Sequence, residues 1–179
     1  MLPSLLSPHQ MPEIAGLNTP AGFYVVVHEP APLGGMPYPK PGTPWEAIFS
    51  LGFHHIVRLE MGGPPYDPAP LNLLQSTALE DLVNAHPPRD PQLEESLILE
   101  AVSSILLRLE AGEGVIVHCA GGTGRTGTVI GCCLVRLGHP APQAIAYLDQ
   151  LNKFRGEKGW PESDWQSGLV SRIAAGRVR

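Results

Sequence analysis

The residues best able to do chemistry stand together in His118-Cys119-Ala120-Gly121-Gly122-Thr123-Gly124-Arg125-Thr126, a thiol followed six positions later by an arginine with three glycines between them. Glycine has no Cβ, so Gly121, Gly122 and Gly124 are expected to take positive φ values and turn successive amides inward. Backbone N–H groups converging at a helix start make an anion nest, and the helix dipole adds to its positive potential. The same field favours the thiolate of Cys119, the reactive form of the side chain. Arg125 is planar and always charged, and its fork can hold two phosphate oxygens at once. The segment therefore reads as a phosphate cradle, lined by residues 120–125, with a nucleophile at its base.

A cradle of this kind needs a strand to deliver the thiol and a helix to aim the amides. The apolar run 115–117 suits a central strand, and a helix over about 125–137 follows the glycines directly. The strongest helical pattern lies before them. Asp90-Pro91 opens it, Leu93, Leu97, Ile98, Ala101, Ile105, Leu106 and Leu109 recur at helical spacing, and Gly112 stops it. Residues 23–28 and 54–59 read as strands, 30–44 and 62–70 as proline-rich loops, 71–74 as an apolar stretch and 77–79 as a further short strand. Thr43 and Glu46 form a capping box for a short helix ending near Gly52. Helices over 142–154 and 163–175 complete the chain. The fold class that follows is α/β: one domain, a mainly parallel sheet of four or five strands with the 115–117 strand central, and helices on both faces.

Composition agrees with that class and removes others. The chain has 179 residues, 12 basic and 17 acidic side chains, and a formal charge of −5. General nucleic-acid binding wants a clustered basic excess, which is missing. Twenty glycines and 20 prolines stay below the roughly 25% level where low-complexity disorder takes over. Three cysteines, two adjacent at Cys132 and Cys133, make no disulfide framework and point to a reducing compartment. Residues 1–20 show neither a signal peptide nor a membrane span. They are expected to be a loosely ordered leader before a catalytic domain over 21–179. The expectations are a cytoplasmic monomer with no cofactor or metal, no nucleic-acid partner and no membrane association.

The segment 118–126 resembles the His-Cys-five residues-Arg-Ser/Thr signature of the cysteine-dependent protein tyrosine phosphatases. The chain length is similar to the compact dual-specificity branch, and the Cys-Ala-Gly-Gly and Gly-Arg-Thr-Gly pieces resemble kinase-associated and related bacterial phosphatases. The resemblance implies two-step hydrolysis of a phosphate monoester through a phosphocysteine, without a metal. It assigns Cys119 as nucleophile, Arg125 as phosphate clamp, Thr126 as hydroxyl partner of the thiolate and His118 as orienter of the loop. Gln166 falls in a position similar to the family's late glutamine, which in some members positions the hydrolytic water. The implied substrate is a phosphorylated protein or peptide, phosphotyrosine first and phosphoserine or phosphothreonine after it. The alternatives are phosphoinositide, inositol phosphate or RNA 5′-phosphates, for which residues 120–124 offer no lysine or arginine, and a non-catalytic phosphopeptide-binding module, which has no use for a thiolate.

The leaving oxygen needs a proton, and two aspartates compete to supply it. Asp90 has the usual family distance from the nucleophile, but before Pro91 it reads as a helix N-cap. Bonds from first-turn amides would then stabilise its charged form. Asp81 follows the apolar Ala78-Leu79 pair, as the family's acid follows a short strand, and is the preferred acid; Asp67 ranks third. Gly122-Thr123-Gly124-Arg125-Thr126-Gly127 also spells a dinucleotide-binding fingerprint with Asp149 downstream, but Asp149 lies in a helical stretch where that fold requires a strand end. Cys132 and Cys133 read as buried hydrophobes. His54 and His55 read as strand residues facing opposite ways. Lys153, Arg155 and Lys158 read as a solvated charge run.

Overall fold

The computed structural model describes residues 2–177; Met1, Val178 and Arg179 lie outside the described residues. The chain forms a single α/β domain around a five-stranded sheet in the order β1-β2-β5-β3-β4. The strands are β1 (Tyr24–Val27), β2 (Leu33–Met36), β3 (Phe53–Arg58), β4 (Asn72–Ser76) and β5 (Gly114–His118). Every residue of β5 is buried, as a strand covered on both faces requires. It pairs in parallel with β2 and β3, β4 joins β3 in parallel, and only β1 runs antiparallel, against β2.

Strand β2 falls inside the stretch 30–44 read as irregular. Leu-Gly-Gly-Met has no strand propensity, but pairing to β1 on one side and β5 on the other overrides it. Its glycines have a packing reason: a Cβ on Gly35 would collide with the Tyr24 ring, and one on Gly34 with the Tyr24 carbonyl. The capping box at Thr43 does not form, because Thr43 Oγ1 donates to Lys40 O (2.7 Å) and helix α1 (Trp45–Ser50) starts after Pro44. Residues 77–79 are not a separate strand. Thr77 N and Leu79 N donate to the carbonyls of Arg58 and Leu59 beyond the end of β4.

Helices α2 (Pro91–Glu110), α3 (Gly124–Arg136), α4 (Ala141–Phe154) and α5 (Asp164–Ala174) follow. Asp90 caps α2, its carboxylate accepting from Leu93 N at 3.0 Å. Helix α3 is buried along most of its length, Cys132 and Cys133 included, and packs on α2, α4, α5, β2 and β5. Burial pushes both of those thiols far up, which makes them inert hydrophobes. On β3, His54 meets Phe49 of α1 edge-on, whereas His55 Nε2 lies 2.8 Å from Glu113 Oε2.

The segment 2–20 is not a loose leader where described. Leu6, Met11 and Ile14 enter the core, Leu6 N donates to Val26 O (3.0 Å), and Tyr147 Oη donates to Leu6 O (2.7 Å). Its prolines break regular structure without preventing burial of the apolar residues between them. No helix among the described residues is long and apolar enough to cross a membrane.

Candidate active site

At the C-terminal end of β5 the chain leaves the sheet at Cys119, loops through 120–123 and enters α3 at Gly124. A cavity of about 120 Å³ opens there, lined by Cys119, Ala120, Gly121, Thr123, Gly124 and Arg125 of the loop, with Asp81, Val83, Glu157 and Glu162 around its mouth. Cys119 is 2% exposed.

The direction of the loop amides follows from where the carbonyls go. Ala120 O accepts from Tyr38 N (2.9 Å). Gly121 O accepts from Arg155 Nη2 (3.2 Å), and Gly122 O accepts from both Tyr24 Oη (2.7 Å) and Arg155 Nη1 (3.0 Å). In a trans peptide the N–H points opposite to the C=O. Each carbonyl held on the protein side therefore aims the next amide, at Gly121, Gly122 or Thr123, towards the cavity. Of the three glycines expected at positive φ only Gly122 is there, at 71°. A Cβ on it would also strike the Met36 backbone. Gly121 faces open space, and Gly124 is small for a different reason: a Cβ there would run into the Glu162 carboxylate.

Two buried rings and a buried guanidinium brace this loop. His118 is fully buried, its Nδ1 3.2 Å from Cys119 O and its Nε2 2.6 Å from Tyr66 Oη. Burial, with the Arg58 charge second, pulls its pKa down to about 4, so the ring is neutral. A carbonyl can only accept, so the single ring proton sits on Nδ1 and Tyr66 donates to Nε2. Burial holds that phenol protonated, with its pKa pushed up to about 12.

Arg155 corrects the expectation of a solvated charge run. It is 6% exposed, lies over the Tyr24 ring at 4.5 Å, and donates to Pro20 O, Ala21 O, Gly121 O, Gly122 O, Thr123 Oγ1 and Asn152 Oδ1. Its charge thus lies behind the loop, adding to the potential at the cavity. Lys153, by contrast, is exposed and pairs with Asp149 at 2.7 Å. Replacing Arg155 by methionine strands the carbonyls of Pro20, Ala21 and Gly121, while Gly122 O keeps Tyr24 Oη. At roughly 1–3 kcal/mol for each buried group left unsatisfied, a denaturant melt is expected to show a loss of at least about 3 kcal/mol. Vanadate binding to whatever remains folded is expected to weaken, because the amides are no longer aimed.

Of the candidate acids, Asp81 reaches the cavity. Its Oδ2 lies 3.5 Å from Arg125 Nη2 and its Oδ1 accepts from Val83 N at 3.1 Å. The loop carrying it is anchored by Glu94 of α2, whose Oε1 accepts from Glu80 N (2.8 Å), and by buried Leu79 and Leu82. Asp90 is occupied as the α2 cap, and Asp67 accepts from Ala69 N beside a different hollow. Thr126 is buried, and its Oγ1 meets no hydrogen-bond partner among the described residues. Gln166, also buried, does not line the cavity. Its Oε1 accepts from Glu162 N (2.8 Å) and Ser163 N (3.1 Å) in a capping box for α5, and the Ser163-x-x-Gln166 spacing carried that signal.

The PTP-SAK family model, described as Swiss Army Knife protein, DSP-PTPase phosphatase domain, matches residues 23–158. The chain belongs to this family. The fold agrees with it. The domain superposes on Tk-PTP in its active form with a TM-score of 0.59 at 21% identity, covering 80% of this chain and 91% of that one. Kinase associated phosphatase, with serine in place of its catalytic cysteine, gives 0.56 at 16% over 82% and 87%. PTPMT1 in complex with PI(5)P gives 0.59 at 14% over 82% and 94%. At these identities the likeness is one of fold. In this phosphatase domain the segment 118–126 follows the end of β5, beside two groups that residue types alone do not reveal, the buried Arg155 and the Glu162 carboxylate.

Proposed function

We propose that this phosphatase hydrolyses phosphate monoesters through a phosphocysteine intermediate, acting on phosphotyrosine in proteins or peptides first and on phosphoserine or phosphothreonine second. The observation that carries the reading is the meeting of Cys119, Arg125 and Asp81 in one small cavity floored by loop amides. In the first step the Cys119 thiolate attacks phosphorus, the P–O bond breaks, and the leaving oxygen takes a proton from Asp81. Arg125 and the amides of 121–123 hold the non-bridging oxygens, and the bound phosphoryl group draws Arg125 from Asp81, freeing that carboxyl to carry the proton. The Thr126 hydroxyl, buried without another partner, supports the thiolate when it is regenerated. Neutral His118 holds the Cys119 carbonyl and so the start of the loop. Water then releases inorganic phosphate.

The cavity wall also bears on substrate class. Among the described residues that line it, Arg125 is the single cation, against Asp81, Glu157 and Glu162 at the mouth. A monoester dianion can be neutralised there, whereas the additional phosphates of a phosphoinositide, an inositol pyrophosphate or a 5′-triphosphate would face carboxylates. A hollow of about 500 Å³ next to the cavity, sharing Val83, Thr123, Glu157 and Glu162, offers room for peptide flanking the phosphorylated residue. A cytoplasmic location accompanies this reading, supported by three free cysteines of which one has to stay reduced.

Phosphate release from a panel of phosphotyrosine and phosphothreonine peptides, phosphoinositides and 5′-triphosphorylated RNA tests it. Phosphotyrosine peptides are expected to be fastest, with activity that persists in chelator, because nucleophile, clamp and acid are all side chains. Vanadate is expected to compete by filling the cradle. Faster release from the polyanionic substrates would overturn the substrate class, and loss of activity in chelator would overturn the mechanism.

A further inference from the structure

A second carboxylate stands in the catalytic cavity. Glu162 is half-buried and lines the same walls as Cys119 and Arg125. Its carboxylate lies over the α-carbon of Gly124, close enough that any side chain there would displace it. The residue is held by its backbone, Glu162 N donating to Gln166 Oε1. Among the described residues, however, the carboxylate makes neither a hydrogen bond nor an ion pair. Leaving an unpartnered anion beside an anion-binding loop costs free energy and weakens phosphate binding. Among the described residues no hydrogen bond or ion pair offsets this, and only the Arg125 charge pulls the other way.

We propose that Glu162 is the general base of the second half-reaction, accepting the proton of the water that displaces Cys119 from phosphorus, while Asp81 serves the first as acid. The proposal rests on the phosphocysteine reading above. In balance, a water oxygen bonds to phosphorus, the P–S bond breaks with its electron pair returning to Cys119 as thiolate, the water proton moves to Glu162, and inorganic phosphate departs. Glu162 then loses the proton to solvent through the mouth of the cavity.

The two carboxylates differ in the way this division needs. Asp81 has Arg125 Nη2 at 3.5 Å and accepts the Val83 amide, so both of its oxygens are engaged by donors. Glu162 has no such donor. Burial, and after it the Asp81 charge, raise it above the usual carboxylate range, against the pull of Arg125 and with a smaller push from Glu157. A base gains strength as its proton affinity moves towards the working pH. The ionisable groups around Glu162 are Asp81 on its loop, Cys119 at the end of β5, Arg125 on α3, Asp149 on α4, and Glu157 and Lys158 in the loop before α5. Gln166 is in this scheme a positioning residue, fixing the backbone of Glu162 instead of touching water.

Rapid-quench kinetics on Glu162→Gln, with a phosphotyrosine peptide and with an activated aryl phosphate, tests the proposal. Both substrates are expected to show a burst of leaving group equal to the active-site concentration. Steady-state kcat then falls roughly 100-fold or more, the usual worth of a general base. The ratio kcat/KM, which reports only events up to P–O cleavage, stays at the wild-type value, so KM falls with kcat. Phosphorylated Cys119 becomes trappable for mass spectrometry. The acid limb of the kcat profile, where protonation disables the base, disappears. Glu162→Ala is expected to show the same burst with an unchanged melting temperature; a lowered melting temperature without a burst would make Glu162 a partner of the α3 dipole only. Wild-type kcat in both variants overturns the proposal. So does a fall in kcat/KM confined to the poorer leaving group, which would place Glu162 in the first step. If the wild-type chain releases leaving group without ever forming a phosphocysteine, the underlying reading fails instead, and this inference with it.

Discussion

Cys119→Ser is expected to abolish turnover, lowering phosphate release by several orders of magnitude to the uncatalysed background, while leaving phosphopeptide binding in place. A serine hydroxyl is a poor nucleophile unless a base removes its proton, and the obvious base nearby is already committed. His118 Nε2 accepts from Tyr66 Oη, its Nδ1 faces the Cys119 carbonyl, and burial keeps the ring neutral. Binding survives because it depends on Arg125 and on amides aimed by Arg155 and Tyr24, none of which the substitution touches. Calorimetric titration with a phosphotyrosine peptide checks the second half of the expectation and a phosphate-release assay the first. Binding without turnover is also what separates an enzyme from a phosphopeptide-binding module. If the wild-type chain binds and never turns over, or if the Cys119→Ser chain turns over normally, the thiolate mechanism is wrong.

The parts of this site that were legible in the sequence are those where a single local segment fixes its own geometry. A buried β-branched strand, glycines and a helix start are contiguous between 114 and 136, so residue types alone locate the cradle. Asp90 before Pro91 likewise announces its own cap. What was not legible depends on distant partners. Strand β2 exists because β1 and β5 flank it, and the ring of Tyr24, far earlier in the chain than the loop it braces, explains Gly35. Arg155 looks like any other charge after a helix until six acceptors from three segments converge on it. The family position of Gln166 suggests chemistry, whereas its spacing from Ser163 spells a cap, and that cap sets the backbone of Glu162. The prolines within residues 2–20 suggest loose order, whereas Leu6, Met11 and Ile14 between them are apolar enough to be buried.

Asp81→Asn is expected to slow hydrolysis by about 10²–10⁴-fold for a substrate with a poor leaving group, the usual worth of a positioned general acid, and far less for an activated aryl phosphate that departs without help. The basic limb of the kcat/KM profile, where deprotonation of the acid disables it, is expected to vanish for the poor leaving group. Geometry motivates the choice. Asp81 lines the cavity with Cys119, and its contact with the guanidinium that clamps phosphate places it at the edge of the reacting group. Losing that contact also frees Arg125 for the anion, so KM is expected to fall together with kcat. Asp90→Asn supplies the contrast. Asparagine caps a helix about as well as aspartate, so this variant is expected to match the wild type in rate on both substrates and in melting temperature. Equal effects of Asp81→Asn on the two substrates, or leaving-group dependence in the Asp90→Asn chain, would remove Asp81 from the role. The Glu162→Gln variant distinguishes the remaining possibility. If leaving-group dependence appears there and not at Asp81, the acid of the first step is the half-buried carboxylate over Gly124, and Asp81 serves only to hold Arg125 until substrate arrives.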